Sequence, residues 1–125
     1  MKRNWDTIRE ILIRFEDLDP ETGSLQLSDF SSDRAYEYSY HVELLLEAGL
    51  IHGQMSKTLG NHAQNFLAHR LTWEGHEFLD AIRSDSVWNK TKTSFVKSGL
   101  SMTFDLVKGV AKDVAVAYLK TTIGS

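Results

Sequence analysis

The joint Glu47-Ala48-Gly49-Leu50-Ile51 constrains this chain more than any other stretch. Upstream of it, from about Asp33 to Ala48, the residues read as a helix, and downstream Leu50 and Ile51 open an extended run. Glycine enters the left-handed conformation that closes a helix without the steric cost other residues meet there. Gly49 therefore marks a helix stop followed by a strand start.

The neighbouring segments are read around that joint. Trp5, Ile8, Ile11, Leu12, Phe15 and Leu18 recur at three and four and define one face of a first helix, with Asn4 as its N-cap. Asp19-Pro20-Glu21-Thr22-Gly23 ends that helix with turn chemistry, Leu25-Gln26-Leu27 alternates like a short edge strand, and Ser28 or Ser32 can cap the second helix. In that helix the apolar contacts come either from Tyr36, Tyr40 and Leu44 or from Val42, Leu45 and Leu46. After Ile51, a polar loop at Lys57 to Asn65 and a return strand at Phe66 to Leu71 describe a β-hairpin with a long tip. Thr72 then caps a helix carrying Trp73, Phe78, Leu79 and Ile82. Gly75 is costly inside a helix, so the close approach of a neighbouring backbone is expected there.

Helix, short strand, helix, strand, polar loop, strand, helix is the order of a winged helix-turn-helix domain, so the expected class is α+β, mainly helical, with the hairpin as wing. The blocks YHVELLLEAGLI (Tyr40 to Ile51) and RLTWEGHEFLDAIR (Arg70 to Arg83) resemble a family of small bacterial and phage winged-helix proteins of unknown function. The resemblance covers roughly residues 1–90; it implies the winged-helix fold and carries over no catalytic residue. Domain limits of 1–83, and 84–125 for an appended extension, rest on a change of composition after Arg83. In that extension Phe104, Val107, Val110, Val114, Ala117 and Tyr118 form an apolar stripe on a terminal helix, expected to pair with a second copy.

Charge divides the chain unevenly. Residues 1–83 hold 8 Lys/Arg against 14 Asp/Glu, and residues 84–125 hold 6 against 3. A winged helix invites a DNA reading through its second core helix. Here that segment, Ser28 to Leu50, sets Asp29, Asp33, Glu37, Glu43 and Glu47 against the single Arg34, although phosphate neutralisation supplies most non-specific affinity. Charge thus favours protein over DNA as partner, and the expected function is a non-enzymatic, self-associating protein-binding module, of the phage or prophage regulatory type that the resemblance implies, with Glu37, Tyr38, Glu43 and Glu47 as contacts and Tyr36 and Tyr40 in the core. The alternative is a DNA-binding regulator using the 33–48 helix and the 57–65 wing, with Arg34, Lys57, Asn61, His62, Gln64 and Arg70 as contacts.

Catalytic and metal chemistry find little footing. A helical zinc motif needs a second His four residues after the first, and four after His76 is Asp80. His69 is seven residues upstream, the chain has no Cys, and the His76-Glu77 pair is read as structural. No nucleophile elbow, paired-carboxylate motif or phosphate-cradling loop is present, and His41 is expected to be a satisfied structural histidine. No cofactor is expected. The N-terminus lacks the unbroken apolar core of a signal peptide and no window suits a membrane span, so the cytoplasm is the expected compartment.

Overall fold

The structure, a computed structural model, describes residues 1–123. Its described residues form an α+β, mainly helical chain: α1 (Trp5–Glu16), α2 (Ala35–Glu47), β1 (Ile51–Ser56), β2 (Asn65–Leu71), α3 (Trp73–Ile82), α4 (Asp85–Ser98) and α5 (Phe104–Ile123). They divide into two compact units, and the division falls after His76, inside α3, rather than at the composition change after Arg83.

In the first unit, α1 packs on α2, and its Ile8, Ile11, Leu12 and Phe15 are all buried at the predicted spacing. Asn4 caps α1 as expected, its Oδ1 accepting from the backbone N–H of Asp6 at 2.9 Å and of Thr7 at 3.2 Å. The helix ends at Glu16, short of Leu18, and Asp19 Oδ1 then accepts from Glu21 and Thr22 N–H to build the turn. Only Leu25 of the expected edge strand pairs with the sheet, exchanging both backbone bonds with Ala68. Leu27–Asp29 and Ser32–Arg34 coil instead into 3-10 turns; at the first, Asp29 reaches back to Gln26 N–H at 2.7 Å and closes a capping box. Neither Ser28 nor Ser32 caps α2; Arg34 precedes its first residue with no side-chain cap.

At the far end of α2 the glycine joint is as predicted. Gly49 has φ of 74°, its N–H meets Leu46 O, and Leu50 N–H meets Leu45 O at 3.0 Å, closing a Schellman motif. β1 and β2 pair antiparallel from Ile51↔Leu71 to Ser56↔Asn65, with a bulge at His52/Gly53. Thr72 Oγ1 donates to Gly49 O at 2.7 Å and accepts from Gly75 N at 3.0 Å, tying the start of α3 to the end of α2. A Cβ on Gly75 would overlap the Leu50 carbonyl oxygen, which is the close backbone approach the sequence calls for.

The second unit, from Glu77, contains the rest of α3 with α4 and α5. Phe78, Leu79 and Ile82 are buried, and the Phe78 ring stacks at 4.7 Å on Phe104. α4 is capped at its start by Ser84, whose Oγ accepts from Val87 N–H, and at its end by Gly99 in the left-handed region. Its buried Val87, Trp88, Thr91 and Phe95 make one stripe, and α4 packs on α5.

Candidate functional site

α2 is the element around which the candidate residues gather, and its helical phase decides their fates. Tyr38, His41, Val42 and Leu45 form the buried stripe, so the Val42-Leu45 alternative defines the core. Tyr38 is 3 % exposed, which overturns the expectation of an exposed anchor; Tyr36 and Tyr40, expected in the core, are 56 % and 36 % exposed. The outward stripe is therefore Tyr36, Tyr40, Glu43 and Glu47, at spacings of four, three and four, with Glu43 half-buried and the other three exposed.

Between α1 and α2 lies a polar network that the sequence does not reveal. Arg34 donates to Tyr38 Oη at 2.6 Å, pairs with Glu10 at 3.2 Å, and is clamped to Glu37, while the Thr7 hydroxyl donates to Glu37. Tyr38 Oη donates to Glu10 at 2.5 Å. The Arg34 and Thr7 hydrogen bonds hold Glu37 below the usual carboxylate range. Burial, helped by the Glu10 bond, pushes the Tyr38 phenol up to about 12. His41 is fully buried with both ring nitrogens engaged, a satisfied structural histidine. Glu37 thus works as an inter-helix clamp, with little of its carboxylate left for a partner.

The proposed DNA contacts are also engaged within the chain. Arg34 is held as described, and Lys57 pairs with Glu43. His62 Nε2 lies 2.6 Å from Thr58 Oγ1, and Gln64 accepts from Thr58 N–H and donates to His62 O. Asn61 offers its carbonyl to the Tyr36 hydroxyl, and Arg70 donates to Leu71 O at 3.3 Å. These bonds stiffen the hairpin tip and fasten it to α2. Leu59, at the tip, is 99 % exposed.

The terminal stripe needs a parallel correction. Val107 is fully buried within the protomer, Phe104 is stacked on Phe78 of α3, and α5 packs on α4 of the same chain. Val110 and Val114 are half-buried, Ala117 is exposed, and the Tyr118 ring carries Lys90 Nζ at 4.8 Å. Among the described residues, no three His, Asp or Glu side chains are placed to hold a metal ion, and no helix is long and apolar enough to cross a membrane.

A family model described as hypothetical protein (DUF2513) matches residues 2–101. The chain belongs to the DUF2513 family. A Haemophilus influenzae protein, described as an uncharacterized protein, is 41% identical over 114 residues, spanning 91% of this chain and 95% of the relative. No solved structure matches. The DUF2513 match contains both the outward α2 stripe and the hairpin tip, and ends before α5.

Proposed function

We propose that this protein is a winged-helix-type interaction module of regulatory character that binds a protein partner through the outer face of α2. The order α1, Leu25 bridge, turns, α2 and β-hairpin supports the winged-helix reading, with α2 in the position of the recognition helix. The observation that carries the function is the outward stripe Tyr36, Tyr40, Glu43 and Glu47. Exposed tyrosines beside the exposed Glu47, with Glu43 shared with Lys57, suit a partner with basic side chains, since aromatic rings anchor interfaces and attract cations, and carboxylates select positive charge. Leu59, on a tip bonded to Tyr36, extends the same surface.

The DNA-binding alternative retains one supporting feature, the hairpin in the place of a wing. Against it, the cations it would use are paired with carboxylates or bonded to backbone, so contact with phosphate would first break those bonds.

Capture of partners from the cell, compared among variants, tests the proposal. Glu43→Lys with Glu47→Lys, and separately Tyr36→Ala with Tyr40→Ala, should each abolish capture of the same protein while leaving the fold intact by circular dichroism. A partner retained equally by both double variants would refute the assignment of this face.

A further inference from the structure

One buried side chain holds the N-terminal segment at Asn4. Nε2 of His41 lies 2.7 Å from the backbone N of Asn4, and Nδ1 lies 2.7 Å from the Glu37 carbonyl oxygen. A backbone N–H only donates and a carbonyl only accepts, so the ring must be neutral, with its hydrogen on Nδ1. A second proton, on Nε2, would set two N–H groups head to head and remove the acceptor that fixes Asn4. Asn4 is also the cap of α1, and just before it Met1 lines a cleft of about 390 Å³ with Arg34, Tyr36, Glu37 and His62. Tyr36, at one end of the outward α2 stripe, therefore borders the same cleft as Met1.

We propose that His41 is a latch on the segment before α1: neutral, its Nε2 accepts from the Asn4 N–H, and protonation removes that acceptor and loosens the segment, which then keeps the α1 cap at Asn4 and the Arg3 contact over the Trp5 ring. The latch is independent of the reading of α2 as the partner face. Around the ring, α2 contributes the Glu37 carboxylate and the Tyr40 ring, edge-on at 5.5 Å. The N-terminal segment contributes Asn4, with Arg3 and Asp6 flanking it in sequence. Arg34 and Thr7 hold Glu37 ionised, so a transition in the imidazole range does not come from that carboxylate. His62 lines the same cleft as Glu37 and needs its own control.

The test is NMR on the full chain without a partner, between about pH 8 and about pH 5. At the upper end, ring ¹⁵N shifts should report the Nδ1–H tautomer of His41. As the His41 ring protonates, the Asn4 amide should lose its protection, with exchange at least about tenfold faster after correction for intrinsic rates. His41→Gln should remove this transition, and His62→Asn should leave it in place. An Nε2–H tautomer, an Asn4 amide still protected beside a protonated ring, or a ring that takes no second proton before the domain unfolds would each overturn the proposal. Because no partner is present, a failed latch leaves the α2 assignment standing, and failed capture in the α2 variants leaves the latch standing.

Discussion

Tyr38 and Tyr40 stand two residues apart on α2, and the fold uses them in opposite ways. The first is buried, with its hydroxyl placed between Arg34 and Glu10; the second is on the outer stripe with Tyr36, Glu43 and Glu47. Two residues along a helix turn a side chain through more than half a circle, so phase alone separates an inter-helix clamp from an outward-facing stripe. Inside, each residue is specified by its neighbours; outside, neither tyrosine has a packing reason as strong, which is why the outer pair is the better candidate for function.

The largest expected effect breaks the inner side of this contrast. Tyr38→Ala should cost about 3–5 kcal/mol, as for other buried aromatic truncations, whereas Tyr36→Ala should cost less than about 1 kcal/mol. Urea unfolding of the two variants measures both; equal losses would erase the distinction between the faces.

Gly75→Ala comes next. Its new methyl meets the Leu50 carbonyl, so a loss of about 1–3 kcal/mol is expected. Gly109, inside α5, has nothing within 4 Å of the place a Cβ would take, and Gly109→Ala should raise stability by about 0.4–1 kcal/mol. Opposite signs in thermal melts are the expected outcome.

The Glu37 clamp gives a pH signature. Its folded-state affinity for protons is depressed, so the stability it contributes is present above the ordinary glutamate range and lost as pH falls through the lower folded value. The difference in urea midpoint between wild type and Glu37→Gln should therefore be largest near neutrality and close on acidification. A gap that widens toward acid would contradict the clamp.

Much of the fold is legible in the sequence because its punctuation is local. Asn4, Gly49, Thr72 and Gly75 each do in the structure what their residue type predicts at that place. The second helix is legible only as two competing stripes, since Tyr36-Tyr40-Leu44 and Val42-Leu45 both have helical spacing. Extending the second stripe back to Tyr38 and His41 resolves the phase and places Tyr36 and Tyr40 outside. α4 carries a signal of its own that composition masks: Ser84 before Asp85, a stripe of Val87, Trp88, Thr91 and Phe95, then Gly99. Read without α4, on which it packs, the α5 stripe has no partner within its own chain. The network among Thr7, Glu10, Arg34 and Glu37 joins residues as far as 30 positions apart, and no local pattern announces it.

The most direct test of the central claim, that the outer face of α2 serves a protein partner rather than DNA, is fluorescence anisotropy with a labelled mixed-sequence duplex over a salt series. The paired state of Arg34 and Lys57, beside Glu43 and the exposed Glu47, predicts no saturable binding at about 0.1 M salt. Saturable binding that weakens steeply as salt is raised would contradict the account and make the hairpin a DNA-contacting wing.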